Sequence, residues 1–501
     1  MPSFPEYDQL DGIALASLMK DGQISRAEVL AACLARMAQV NPTLNFVAHS
    51  MQQSAEQQVQ QPLGPGPLAG VPVLIKDLLT DVQGHPTTNG SRMFAKQVAA
   101  QDSVLVRRYR QAGLIFPAKT TTPEFGLVPY TESELFGTTR NPWDVSRTPG
   151  GSSGGAAAAV ATGVVPIAHA NDGGGSIRIP AANCGLFGLK PSRGRSSFGP
   201  NLSECWQGIA EHHVITRSVR DSAAMLDICI AGYEAGDAWH CPLPAQPFLS
   251  GLRRDGPRLR IAYTDQPFMG GSLHPDCHAA LMHSVALLQQ LGHHVERVHP
   301  PLDDPEPMCR AMLMVLSSEL ASLMRNSERL IGRKVHWRDV EIDSLVLARY
   351  GELRSAGELA ASRDFMLRQG RIMAQFHEKY EILVTPVINQ LPMTIGGLMT
   401  SDFEKWVSRL FIAHLGWNWT LKSNPLVDSQ SRRLLEYIGW TVPFNLSGQP
   451  AASVPLYWNA QNLPIGTQLV GRFGAEQTLL NLAAELEQAQ PWAQRRPPPL
   501  G

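Results

Sequence analysis

Hydrophobic and polar positions follow two periods along this chain, one typical of amphipathic helices and one typical of buried strands. Residues 11–42 predict two helices, and in the second of them Ser25 and Glu28 form a capping box ahead of an apolar stripe. Further helical patterns lie at 220–232, 278–292 and 476–489. Short apolar, β-branched runs predict strands at 71–79, 114–120, 164–170, 259–264, 380–387 and 451–457.

This order of elements predicts the fold class. Strands that alternate with helices are typical of an α/β fold with a largely parallel central sheet. The chain has no repeat period and no long linker, so we expect one large domain over residues 1–501. Residues 301–360 and 389–435 are less strand-like and richer in Met, Arg, Trp and Ser. Insertions of this kind usually lie over the ends of a sheet, where substrate pockets form.

Composition narrows the choice of partners and compartment. A hydrophobic content of 44% and a charged content of 17% suit a well-packed soluble protein. The net charge is −1 and no basic run is present, which argues against a nucleic-acid partner. The start MPSFPEYDQL lacks a signal-peptide pattern, and the apolar stretch at 156–170 is shorter than the roughly 20 residues that span a bilayer. We therefore expect a cytoplasmic protein without a membrane partner.

Cysteines and histidines give no sign of a metal or disulfide site. The 7 cysteines are scattered and include no CxxC pair, so they predict reduced, mostly buried thiols. His212–His213 and His293–His294 are neighbours in sequence, and such neighbours rarely converge on one metal ion. We expect neither a metal nor a cofactor.

Two loops rich in glycine and serine, GGSSGG at 150–155 and NDGGGSIR at 171–178, are the candidate chemistry. A phosphate loop would need a lysine inside it, but Asp172 and Arg178 are the only charges between 150 and 178. A linker would not continue directly into apolar, structured-looking sequence. Residues 151–155 also fit the G-x-S-x-G nucleophile elbow with Ser153 as nucleophile, but the lead-in at 141–151 is turn-like where that motif needs a strand.

The segment TPGGSSGGAAAAVATGVVPIAHANDGGGSIRIPAANCGLFGLKPSRGR (148–195) resembles the signature of the amidase signature family, and GVPVLIKDL (70–78) resembles its lysine strand. The resemblance extends to 118–126, 137–144, 442–455 and 463–471 and is weakest at 300–440. It implies a single amidase signature domain, in which a twisted, mixed and mostly parallel sheet is covered by helices on both faces. The matching core would be about 64–235 and 440–490, with variable substrate-pocket insertions at about 300–435.

The same resemblance implies the roles of individual residues. Ser176 matches the nucleophile, Ser152 the bridging serine and Lys76 the base. The oxyanion hole would use the backbone N–H groups of Gly173, Gly174, Gly175 and Ser176. The chemistry agrees, because a serine is a weak nucleophile until a base takes its proton. A lysine can be that base only when it is neutral, and burial on an apolar strand lowers its pKa.

Supporting residues surround these three. The resemblance implies a cis peptide between Gly151 and Ser152. Asp172 and Arg178 flank the nucleophile at a spacing that suits an ion pair bracing the loop, which we favour over substrate contact. We interpret His169 as a packed histidine and not as a catalytic base.

Within the family, the pattern is most similar to the branch of 6-aminohexanoate cyclic dimer hydrolases and related broad amidases and urethanases. This implies a hydrolase of amide C–N bonds that acts on small or oligomeric amides, such as aryl amides and nylon oligomers, with carbamates as further candidates. The partner would be that small-molecule substrate, and the protein a monomer or homodimer. A Ser–His esterase, a glutamine amidotransferase-type subunit and a non-catalytic binding protein are the alternatives.

The substrate pocket is expected in the divergent segments. Five apolar side chains could form the wall of an acyl pocket, although ordinary packing is the alternative for each; they are Trp206, Met399, Trp406, Phe411 and Trp417.

Overall fold

The computed structural model describes residues 4, 6–62, 64–230, 232, 234–423 and 425–499. The strands are β1 Val47–Ser50, β2 Val73–Lys76, β3 Ala118–Thr120, β4 Glu132–Ser133, β5 Gly137–Thr138, β6 Ile167–Asp172, β7 Phe187–Lys190, β8 Glu211–Thr216, β9 Arg260–Tyr263, β10 His294–Arg297, β11 Ile382–Pro386, β12 Ala451–Trp458 and β13 Pro464–Gly471. The α-helices are α1 Gly12–Lys20, α2 Arg26–Leu44, α3 Gln52–Gln58, α4 Val104–Gln111, α5 Gly154–Ala161, α6 Arg178–Cys184, α7 Val219–Cys229, α8 Pro275–Gln290, α9 Pro305–Ile331, α10 Ile342–Glu352, α11 Ala356–Lys379, α12 Asp402–Ser408, α13 Pro425–Tyr437, α14 Val442–Leu446 and α15 Glu476–Ala489.

One large sheet organises the described part of the chain. Its strand order is β1-β3-β2-β6-β8-β7-β12-β13-β11-β9-β10, and β4 and β5 form a separate pair. Parallel pairing is confined to two groups, β3-β2-β6 and β11-β9-β10. The remaining pairs are antiparallel, because β12 and β13 form a hairpin and β8 runs back between β6 and β7. The predicted single α/β domain with a mixed sheet is confirmed, with more antiparallel pairing at its centre than the alternation of strands and helices indicated.

Helices cover both faces of this sheet. Successive residues of a strand point to opposite faces. In β9, Ile261 belongs to the core cluster that contains α2, α5, α7 and α15, whereas Ala262 belongs to the cluster that contains α9, α11 and α14. Leu469 and Val470 of β13 divide between the same two clusters. The two cores therefore lie on opposite sides of the sheet, as the resemblance implied.

Local signals account for several of these elements. The Ser25–Glu28 capping box begins α2 as predicted, and α15 has the predicted bounds of 476–489. The insertion at 301–360 is helical, mainly through α9 and α10, as its weak strand character indicated. All 7 cysteines are free, and 6 of them are buried.

Within the described ranges, no helix is long and apolar enough to cross a bilayer. No group of three or more His, Cys, Asp or Glu side chains in these ranges could hold a metal ion.

Candidate active site

Lys76 is the last residue of β2 and is 0% exposed. The apolar strand carries it into the interior, where its Nζ lies 2.8 Å from Ser152 Oγ, 2.9 Å from Ser153 Oγ and 2.6 Å from Asn171 Oδ1. Burial lowers the pKa of Lys76 well below its usual value, against the opposing charge of Asp172. A lysine in this setting is suited to act as a neutral base.

Ser152 lies just before α5 in the first glycine–serine loop, and the Gly151–Ser152 peptide is cis as the resemblance implied. Position 151 requires a glycine, because a Cβ there would lie 2.5 Å from the backbone nitrogen of Tyr130. Ser152 is 1% exposed. The loop thus holds the hydroxyl of Ser152 directly against the amine of Lys76.

The second loop connects β6 to α6 and is braced by the predicted ion pair. Asp172 and Arg178 are both fully buried and lie 2.9 Å apart. Asp172 also accepts hydrogen bonds from the backbone N–H groups of Gly175 at 2.7 Å and Ile177 at 3.1 Å. Burial by itself would raise the pKa of Asp172, but the Arg178 guanidinium outweighs this effect and holds the pKa well below its usual range. Asp172 therefore stays ionised and fixes the loop that carries Ser176.

Ser176 is the one residue between 171 and 180 that is not buried. The backbone on either side of it is tied down, since Gly175 has φ +131 and Thr441 Oγ1 donates to the carbonyl of Gly174 at 2.6 Å. A half-buried serine on a rigid loop can contact a substrate, whereas its buried neighbours cannot.

One predicted oxyanion donor is used differently in the structure. The N–H of Gly175 donates to Asp172 Oδ1 at 2.7 Å, so this group supports the loop. The N–H groups of Gly173, Gly174 and Ser176 are the remaining candidates for the oxyanion hole. Sequence spacing could not reveal this, because the carboxylate of Asp172 folds back onto its own loop.

His169 lies behind Lys76 and is a packed histidine, as we interpreted it. Its Nδ1 accepts from the backbone N–H of Lys76 at 3.3 Å, and its Nε2 lies 3.0 Å from His212 Nδ1. Burial lowers the pKa of His169 and lowers that of His212 to about 3, so both rings are neutral near pH 7. Both ring nitrogens of His169 are occupied, which leaves neither for a substrate.

The five predicted pocket residues separate into two groups. Trp206 is half-buried and packs on Gly173, since a Cβ on that glycine would lie 2.5 Å from the indole ring. Met399 packs in a cluster with Tyr130 and Ile179, near the first and second loops.

The other three lie between residues 406 and 417 of the chain. Trp406 is 57% exposed and stacks on Phe403, with ring centroids 6.2 Å apart. Trp417 is 43% exposed, and its ring centroid lies 5.3 Å from that of Phe411. Their part in a pocket stays a prediction.

Several residues near the second loop were missed by the sequence analysis. A Cβ placed on Gly174 would lie 3.3 Å from Met312 Cε, 3.6 Å from Ile438 Cδ1 and 3.7 Å from Val442 Cγ2. Met312 lies in the helix α9 of the divergent insertion. Nothing in the local sequence signals that these apolar side chains contact the second loop.

Comparison with known proteins gives a consistent result. Residues 28–480 match the family described as Amidase. A 6-aminohexanoate-cyclic-dimer hydrolase of Pseudomonas sp. (strain NK87) is 36% identical over 493 residues, which cover 97% of this chain and 96% of that protein. The solved structure of a 6-aminohexanoate cyclic dimer hydrolase superposes with a TM-score of 0.88 at 36% identity, covering 98% of this chain and 99% of the other. A bacterial aryl acylamidase structure superposes with a TM-score of 0.83 at 25% identity, covering 97% of each chain.

Proposed function

Because this chain belongs to the amidase signature family, we propose that it hydrolyses amide C–N bonds through an acyl-enzyme on Ser176, with Ser152 as proton relay and Lys76 as base. The observation that carries the proposal is the position of the fully buried amine of Lys76, 2.8 Å from Ser152 Oγ. Ser152 lies in the first loop, and the second loop presents Ser176. Family members are amide hydrolases, so C–N hydrolysis is the activity of this enzyme class.

Acylation begins when Ser176 Oγ attacks the substrate carbonyl carbon. The proton of Ser176 passes to Ser152 Oγ, and the proton of Ser152 passes to the neutral amine of Lys76, which becomes an ammonium. The oxyanion that forms on the carbonyl oxygen is stabilised by the N–H groups of Gly173, Gly174 and Ser176, where the loss of one donor typically costs about 3–4 kcal/mol. When the C–N bond breaks, Ser152 donates its proton to the departing nitrogen and regains one from Lys76.

Deacylation reverses the path with water in place of the amine. The water attacks the acyl carbon while its proton travels through Ser152 to Lys76. As the C–O bond to Ser176 breaks, the same proton returns through Ser152 to Ser176 Oγ, and the acid leaves. The net reaction consumes one water and yields one acid and one amine, with the enzyme restored.

The proposed substrates are aryl amides and oligomeric amides of the nylon type, with carbamates as further candidates. Two relatives at 36% identity are named 6-aminohexanoate-cyclic-dimer hydrolases, which supports the oligomeric amide. The apolar side chains of Trp206 and Met312 beside the nucleophile loop suit an uncharged acyl or aryl group.

A substrate panel tests this proposal. Anilides, cyclic and linear lactam oligomers and aryl carbamates are incubated with the enzyme, and the released amine is quantified. We expect amine release from at least one amide class, and its loss in Ser176→Ala. Equal release by the wild type and Ser176→Ala would refute the proposed nucleophile.

A Ser–His esterase predicts a different outcome. It would retain activity in Lys76→Ala and lose it when a particular histidine is replaced. The occupied, neutral ring of His169 supports the lysine mechanism instead.

A further inference from the structure

Among the residues that the structure describes, Lys76 Nζ has three oxygen hydrogen-bond partners, and the amide of Asn171 is the nearest, at 2.6 Å. The other end of this amide is committed, because Asn171 Nδ2 donates to the carbonyl of Leu78 at 3.2 Å. That contact fixes which end of the amide faces the lysine. Asn171 Oδ1 can only accept, so it must receive an N–H from Lys76.

Ser153 is the second acceptor. Its hydroxyl donates to the backbone carbonyl of Asn171 at 3.3 Å. With its proton directed there, the Ser153 oxygen presents a lone pair to Lys76 Nζ at 2.9 Å. Ser153 therefore receives another N–H from the lysine.

A neutral amine carries two N–H bonds and one lone pair. If Asn171 and Ser153 take the two N–H bonds, the lone pair is left for the third neighbour, the hydroxyl of Ser152 at 2.8 Å. We propose that Asn171 and Ser153 are positioning residues that hold the neutral amine of Lys76 with its lone pair on the Ser152 hydroxyl. This inference rests on the proposed function, since it concerns how the base meets the relay.

The charged and titratable groups around Lys76 fit this arrangement. They are Asp172, Cys205, His169 and His212. Asp172 is neutralised by Arg178, and burial keeps both histidines uncharged and raises the pKa of the Cys205 thiol. An amide at 171 accepts a hydrogen bond without adding a charge, whereas a carboxylate at the same distance would favour the ammonium.

The isosteric variant Asn171→Asp tests this. The measurement is the rate of phosphonylation of Ser176 by a fluorophosphonate across pH, with the adduct located by peptide mass spectrometry. An opposite charge this close typically shifts a pKa by about 1–3 units. We expect the acid limb of the rate profile to move up by at least about 1 pH unit, so that labelling at a pH on this limb falls at least about tenfold and recovers at higher pH.

Asn141→Asp is the matched control. Asn141 is buried like Asn171, and its side-chain amide donates to the carbonyls of Thr148 and Asn183. Its acid limb should coincide with that of the wild type, because the new carboxyl does not contact Lys76.

Ser153→Ala keeps the test open if Asn171→Asp does not fold. It removes one acceptor without adding charge, so we expect the maximal phosphonylation rate to fall about 3- to 10-fold with the inhibitor binding constant unchanged. Ser284→Ala, which removes a buried hydroxyl that bonds Ala280 and Thr467, should match the wild type.

The outcomes separate the two proposals. Labelling of Ser176 in the wild type, together with an unmoved acid limb in Asn171→Asp or an unchanged rate in Ser153→Ala, would overturn the positioning role alone. A wild type that is not labelled at Ser176 would overturn the proposed function and the positioning role with it.

Discussion

Replacing Asp172 by asparagine removes the charge that pairs with Arg178 and keeps the size of the side chain. Both partners are 0% exposed and 2.9 Å apart, so the variant leaves a guanidinium buried without its counter-ion. Arg178 keeps its bonds to the backbone carbonyl of Thr441 at 3.0 Å and to Gln468 Oε1 at 2.7 Å, and neither of these acceptors carries a charge. Asp172→Asn therefore removes the electrostatic attraction between the two side chains.

Breaking a buried ion pair by removing one partner typically costs about 3–5 kcal/mol. We expect Asp172→Asn to lose about that much free energy of unfolding, measured by denaturant titration at pH 7. Asp172 also accepts hydrogen bonds from the backbone N–H groups of Gly175 and Ile177, so the variant should make the second loop less rigid. For this reason kcat/KM on an amide substrate should also fall.

The control is the half-exposed pair of Arg349 and Glu352, 2.8 Å apart. Glu352→Gln should change the free energy of unfolding by less than about 0.5 kcal/mol. The pH dependence gives a second readout, because a carboxyl with a depressed folded-state pKa contributes stability above its unfolded pKa of about 3.9 and loses it as pH falls further. Below about pH 4 the wild type should therefore lose stability more steeply than Asp172→Asn. If the free energy of unfolding of Asp172→Asn falls by less than about 1 kcal/mol, well under the typical cost of breaking a buried ion pair, the bracing role is refuted.

Three further predictions concern residues in or beside the candidate site. Lys76→Met should lower kcat/KM by about 10²–10⁴ while leaving the free energy of unfolding equal or higher, because it removes a buried amine and keeps the apolar part of the side chain; steady-state kinetics and denaturation check the two parts. Gly151→Ala should lose about 1–3 kcal/mol in thermal unfolding, since its Cβ would lie 2.5 Å from Tyr130 N, and an unchanged Tm would contradict that packing. Trp206→Ala should lower kcat/KM about tenfold by freeing Gly173, and kinetics equal to the wild type would remove Trp206 from the site.

The sequence predicted strands from apolar, β-branched runs, and it missed β1, β7, β8, β10 and β13. The strand β2 was predicted at 71–79 and spans Val73–Lys76. The strand β8 was missed because four of its six residues, EHHVIT, are polar although all six are buried. Glu211 bonds to Ser196, and His213 lies 2.9 Å from Ser222, so each polar group is satisfied by a residue that the local pattern does not identify.

The candidate site divides in a similar way. Lys76, Ser152 and the Asp172–Arg178 pair were predictable because each lies in a run whose spacing and residue types resemble a known signature. Asn171 lies inside that run but went unnoticed, since its role depends on which way its amide points. Thr441 and Met312 come from segments far along the chain, and only tertiary packing brings them to the second loop.

The central claim is that Ser176 forms the covalent intermediate, and trapping that intermediate tests it most directly. The enzyme is mixed with an activated aryl amide or carbamate, quenched in acid within the first turnovers, digested and mapped by mass spectrometry. We expect the acyl mass on the peptide that contains Ser176, and no adduct in Ser176→Ala. An acyl group on Ser152 or Ser153, or full turnover by Ser176→Ala, would contradict it.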